Sequence, residues 1–403
     1  MSGASAPRRT RSRVGPGSSH RAAPLDVDAL LDDPATEIIV CCGSGGVGKT
    51  TTAAALALRA AERGRRVVVL TIDPARRLAQ SMGIAALDNT PRPVAGVDPG
   101  AGGSLDAMML DMKRTFDEVV LSQASPEKAE QILANPFYVA LSSSFAGTQE
   151  YMAMEKLGQL YREHVTGEEG GEDSATYDLI VVDTPPSRSA LDFLDAPERL
   201  SSFLDGRFVR LMLAPARGPA KLLTAGFSVV TNALMKILGA QFLKDLQTFV
   251  AALDTVFGGF RQRAQQTYSL LQADGTAFLV VAAPEPDALR EAAYFVERLS
   301  EDSMPLAGLV VNRASPDPES PLSADEAMAG AERLRADDPE SLTAGLLRLH
   351  ADRARLVARE GALRERFATA HPQVATAVVA ALSGDVHDLD GLRQIGTLLA
   401  GGE

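Results

Sequence analysis

The sequence has no tryptophan, and only two cysteines and five histidines among 403 residues. With aromatic residues at 5%, the stacking platforms that hold single-stranded nucleic acid are missing. A net charge of −12 leaves no basic face for a duplex, so nucleic acid is not an expected partner. The two cysteines are neighbours, Cys41 and Cys42. Neighbours on a strand point to opposite faces, so they are poorly placed to bridge each other or share a metal, and they read as small buried packing residues. Without a disulfide framework or zinc spacing, a reducing cytoplasm is expected and structural zinc is not. No run of 18 residues is apolar throughout, so no membrane span is expected. The arginine-rich start has no apolar core behind it, so no secretory leader is expected.

What is present is a series of continuous apolar runs: 37–42, 66–73, 105–111, 177–183, 277–283, 306–312 and 374–382. Continuous runs, as opposed to alternating ones, mark strands covered on both faces. Helical patterns separate them, such as Thr51–Arg63 closed by Gly64, and Asp287–Leu299. Strand alternating with helix predicts an α/β fold, a doubly wound, mainly parallel sheet. Residues 1–25 read as a disordered basic tail, 37–196 and 274–403 as the α/β domain, and 314–342 as partly loop. Between 197 and 273 no strand is evident; Leu223, Phe227, Val230, Leu234 and Leu238 recur at helical spacing. With the helix-rich stretch 127–163, this predicts a helical subdomain.

The densest signal is Gly43-Ser44-Gly45-Gly46-Val47-Gly48-Lys49-Thr50, which fits the phosphate loop G-x-x-x-x-G-K-[ST] after a strand and before a helix. Glycines allow backbone N–H groups to turn inward around phosphates, and the helix N-terminus adds positive potential. Lys49 is expected at the β- and γ-phosphates of ATP and Thr50 on Mg2+. A carboxylate is then required near the metal. Asp183, ending the apolar run 177–183, supplies it, through water. Asp73, ending 66–73, either orients the attacking water or merely caps a helix.

The run G-S-G-G-V-G-K-T-T, then Asp73-Pro74-Ala75, then Asp183-Thr184-Pro185-Pro186, then "LVVNR" at 309–313 resembles the ArsA/Get family of deviant-Walker ATPases, and most of all its bacterial, actinobacterial-type ArsA-like members. That family includes arsenite-pump ATPases and the targeting factor for tail-anchored membrane proteins. The resemblance implies a P-loop NTPase of the SIMIBI type and an ATP hydrolase that works as a dimer. It also implies a client groove in the helical subdomain. It makes Asp73 the catalytic aspartate of switch I and Asp183 with Thr184–Ser187 switch II. Gly43 to Thr51 become the nucleotide loop, Asn312 an adenine contact, and Pro284 the start of the adenine-side loop.

Two departures matter. The family's loop carries lysine where this chain has Ser44, and that lysine reaches across the dimer to the partner's phosphates. A serine brings no cation, so either turnover is slow or a lysine-bearing ArsA-like paralogue completes the site. Separated metalloid-binding cysteines and the C-x-x-C zinc clamp are absent too, so neither arsenite export nor a zinc-clamped dimer is expected. The leading expectation is a cytoplasmic chaperone or targeting factor for apolar or membrane-protein segments, transiently at the membrane. The alternatives are a MinD/ParA-like spatial regulator, with 388–403 as a membrane-binding helix in place of a packed terminal one, and a regulatory subunit with vestigial ATPase.

Overall fold

The computed structural model describes residues 23–72, 77–136, 138, 139, 142, 148–165, 177–185, 260–317 and 320–402. Asp73 and most of the expected helical subdomain, 186–259, lie outside these, as do residues 1–22. The strands are β1 Ile38–Cys42, β2 Arg66–Thr71, β3 Arg92–Pro93, β4 Ser104–Met109, β5 Leu179–Asp183, β6 Thr276–Ala282, β7 Leu306–Ala314 and β8 Thr376–Ala380. They form one sheet in the order β3-β4-β2-β5-β1-β6-β7-β8. All neighbours are parallel except β3 with β4. This is the expected doubly wound α/β fold. Every residue of β1, β5 and β6 is buried, as the unbroken apolar runs require of central strands. The two-residue β3 leaves no period for a sequence reading to catch.

The helices are α1 Val27–Asp32, α2 Lys49–Glu62, α3 Arg77–Ser81, α4 Met112–Gln123, α5 Pro126–Leu133, α6 Thr148–Leu160, α7 Phe260–Leu271, α8 Pro286–Glu301, α9 Ala324–Asp337, α10 Leu342–Ala370 and α11 Leu389–Leu399. Helix α2 begins two residues earlier than its sequence pattern, because the last residues of the glycine loop form its first turn. Its alanines let it lie close on the sheet, and ten of its fourteen residues are buried. Among the described residues no helix is long and apolar enough to cross a membrane.

One boundary is corrected, one loop reading is sharpened, and the packed terminal helix is borne out. The tail ends before residue 25: Pro24 bridges Thr376, Leu25 N–H donates to the Thr376 carbonyl, and Thr376 N–H donates to Ala23. The free edge of β8 offers those backbone partners, and the side chain of Leu25 lies over Gly308. The stretch 314–342 is more than loop, since it contains α9. Its Ser323–Glu326 capping box satisfies two of the free donors at the helix start, the Ser323 and Glu326 N–H groups, and the small Ala327, Ala331, Ala344 and Ala351 allow α9 and α10 to pack as a hairpin. Prolines and acids mask this in the sequence. Finally, α11 turns Leu392, Ile395 and Leu399 inward, packs on α2, and ties Arg393 to Glu62 at 2.8 Å. Residues 389–399 are therefore a packed helix, without a free apolar face to lie on a membrane.

From the expected helical subdomain, α5, α6 and α7 can be followed. Of these, α6 and α7 pack together through a largely buried ion pair, Arg263 Nε to Glu155 Oε1 at 2.6 Å. Gly158 lies against Thr267, where a Cβ would come within 2.3 Å of the threonine hydroxyl.

Candidate nucleotide site

The loop from Gly43 to Gly48 joins β1 to α2 at the carboxyl end of the central strand, where open α/β sheets bind ligands. Its glycines are needed where they stand. Gly43 has φ 145°, and a Cβ there would sit 2.1 Å from the Val281 carbonyl oxygen on β6. Gly48 has φ 97°, and its Cβ would sit 2.2 Å from the Asn312 amide nitrogen. Both the backbone angle and the space exclude a side chain at these two positions. Val47 is buried, Ser44 half-buried, and Gly45 and Gly46 are exposed.

Lys49 is 5% exposed, and its ammonium donates to the Ser44 carbonyl at 2.8 Å. Sheet register builds the other half of the site. Asp183 on β5 lies beside Cys41 on β1 and Thr71 on β2, which brings its carboxylate under α2. Asp183 is fully buried; its Oδ2 accepts the Thr50 hydroxyl at 2.7 Å and the Thr71 hydroxyl at 2.8 Å. Thr184, the next residue, donates its hydroxyl to the Cys41 carbonyl at 2.8 Å and so fixes where the chain leaves the sheet. Thr71 has no place in the sequence reading, because a threonine in a strand is ordinary. Only the register of β2 against β5 singles it out.

On the opposite flank, a cavity of about 580 Å3 opens between the glycine loop, the end of β7 and the segment after β8. Gly46, Gly48, Thr51, Arg77, Asn312, Arg313 and residues 380–386 line it. Asn312 therefore reaches the cavity. Its amide also donates to the Val47 carbonyl at 2.9 Å. Pro284 is buried at the end of β6 and does not line the cavity; residues 380–386 hold that wall instead. Arg77, Arg313 and this segment were not anticipated. The one available signal was the cation directly after Asn312.

Both thiols below the loop are buried. Burial pushes Cys42 up to about 12 and Cys41 well above the ordinary range, the latter reinforced by the Asp183 charge, so neither is a nucleophile at neutral pH.

The arrangement fits a nucleoside triphosphate with a hard divalent cation. The loop leaves a cradle that only glycine backbone permits, a buried ammonium stands at its base, and a hydroxyl–carboxylate pair offers the oxygen ligands Mg2+ takes. Comparison with known proteins agrees. The model of the ArsA ATPase family, described as anion-transporting ATPase, matches residues 36–334. The chain is 30% identical over 186 residues to ATPase GET3 of Malassezia globosa, covering 45% of this chain and 49% of that protein. It is 27% identical to an ATPase ASNA1 homolog of Cryptosporidium parvum, covering 67% and 63%, and 25% identical to ATPase GET3 of Podospora anserina, covering 71% and 76%. The match thus spans about half the length of the Malassezia relative and 63% of the Cryptosporidium one. Loop, strand-end carboxylate and sequence match converge, and the chain belongs to the ArsA ATPase family.

Proposed function

We propose that this chain is a Mg2+-dependent ATP hydrolase, a cytoplasmic dimer that shields apolar or membrane-protein segments and is transiently at the membrane when it delivers them. One observation carries the reading: Lys49 and Thr50 open α2 directly behind the glycine loop, and the Thr50 hydroxyl rests on Asp183 from a different strand. Lys49 then meets the β- and γ-phosphates, while Thr50 and, through water, Asp183 hold Mg2+. The bound ion supplies charge neutralisation at the phosphate oxygens. Asp73 positions the attacking water or accepts its proton. The names of the relatives, ATPase GET3 and ATPase ASNA1 homolog, support ATP as the nucleotide, and the family resemblance supports a dimer with a client.

Ser44 sets the catalytic limit. Phosphoryl transfer spreads negative charge over the γ-phosphate oxygens, and this loop offers its neighbour no lysine. A lysine-bearing ArsA-like paralogue completes the site in trans.

Phosphate release by the purified chain tests this reading. Turnover should be slow, abolished by EDTA, faster in Ser44→Lys and faster with the paralogue. Fast hydrolysis by the wild-type chain alone refutes the partner. Calorimetry showing unchanged ATP affinity in Lys49→Ala refutes the nucleotide site. A fluorescent peptide carrying a 20-residue apolar segment should be retained with ATP and released with ADP; equal retention in both refutes the shielding role.

A further inference from the structure

Successive side chains on a strand point to opposite faces of the sheet, yet Asn312 and Arg313, consecutive on β7, both hydrogen-bond the same loop. The Asn312 amide holds the Val47 carbonyl at 2.9 Å, and the Arg313 guanidinium holds the Gly46 carbonyl. The backbone explains how. Pairing of β7 with β8 shifts register between Val311 and Ala314, and Arg313 has φ 61°, one of two non-glycine residues in that region among the described ones. An irregularity of this kind re-aims a side chain beside a functional site. The left-handed backbone is disfavoured for a non-glycine residue, so the surrounding contacts must hold it. They do so from behind as well: Glu360 on α10, 8% exposed, accepts from both the amide and the hydroxyl of Ser315, each at 2.8 Å.

A trans peptide plane points its N–H opposite to its C=O. Fixing the Gly46 and Val47 carbonyls toward β7 therefore fixes the Val47 and Gly48 N–H groups away from it. Lys49 does the same at the Ser44 carbonyl, which orients the Gly45 N–H. Carbonyls out and N–H groups in is the arrangement a backbone anion nest requires. We infer that Asn312 and Arg313 form a clamp that presets the phosphate loop, so that both act on the phosphate chain through the loop's peptides, whatever base the cavity accepts. The clamp rests on the nucleotide-site reading and adds to it a role for β7 as positioning element.

Inorganic tripolyphosphate with Mg2+, which has phosphates and no base, separates the readings. In calorimetry Arg313→Gly, which suits the φ of 61° and removes the side chain with its guanidinium, should weaken tripolyphosphate and ATP alike by about tenfold. Asn312→Ala should do likewise, and Arg313→Lys should recover part of the loss. In the ligand-free chain, amide hydrogen exchange across 43–50 should accelerate in Arg313→Gly, which a residue touching only the ligand would not cause. Tripolyphosphate binding unchanged in Asn312→Ala, with ATP binding reduced, overturns the clamp in favour of base reading. Unchanged exchange in Arg313→Gly overturns it as well. If the wild-type chain binds neither compound, the nucleotide-site reading itself falls and the clamp with it.

Discussion

The two flanks of the glycine loop are built by different means. On one side Thr50 and Thr71 meet the fully buried Asp183, which straight parallel register places beside Thr71. On the other, Asn312 is buried but Arg77 and Arg313 are exposed at an open cavity, and the register of β7 breaks to deliver Arg313. The buried flank is rigid because its strands are covered on both faces. The open flank depends on an irregular strand end that surface elements hold in place. This contrast predicts that substitutions on the buried flank disturb chemistry and stability together, whereas those on the open flank chiefly change affinity.

The largest expected effect is at Asp183. Asp183→Asn keeps the shape and an acceptor for both threonines but loses the charge, so Mg-ATP turnover should fall at least about 100-fold; a smaller drop in a phosphate-release assay would place the metal elsewhere. Asp73→Asn should lower turnover by about 100-fold while ATP affinity holds. If turnover survives, Asp73 is only a cap. Thr71→Val removes one hydroxyl donated to a buried carboxylate and should cost about 1.5–3 kcal/mol of stability, read from denaturant unfolding. Arg77→Ala, its counterpart on the open flank, should weaken ATP binding severalfold with no change in unfolding midpoint. Equal stability losses at the two positions would erase the contrast.

At neutral pH the smallest effect concerns the thiols. Cys42 titrates near 12 folded against an ordinary value of 9.0. The raised value favours the protonated folded state, so the stabilisation is complete below about pH 9 and is lost as pH rises toward 12, by about 1.4 kcal/mol per pH unit. Cys41 shifts in the same direction. At pH 8 both should resist a thiol-specific disulfide reagent until the chain is unfolded; rapid labelling of the native protein would contradict their burial.

The same contrast decides what could be read in advance. Strands β1, β5 and β6 were legible because burial on both faces leaves a continuous apolar run, and Lys49, Thr50 and Asp183 because one motif and one strand end fix them. Thr71 was not, since its role comes from a neighbour 112 residues away. Arg313 was not, since a register break and a left-handed backbone have no signature in a period of two. Helix α9 was hidden by the prolines before it and its acidic first turn, although Ser323 and Glu326 carry a capping pattern. Pro284 followed the family pattern, yet the cavity wall it was expected to open is made by 380–386.

Helix α2, whose first residues are Lys49 and Thr50, receives part of its cover from α11, with Arg393 reaching Glu62 across 331 positions of sequence. Gly396 of α11 lies over Arg59 of α2, where an added Cβ would meet the Arg59 Cβ at 3.5 Å, an ordinary contact. A ribosome adds residues one at a time, so the glycine loop and its helix emerge long before their last cover exists. Until α11 arrives, the leucine and alanine face beneath it stays open to solvent or to a chaperone. The packing over α2 is thus completed only after residues 389–399 are made, so its order follows translation and not the loop.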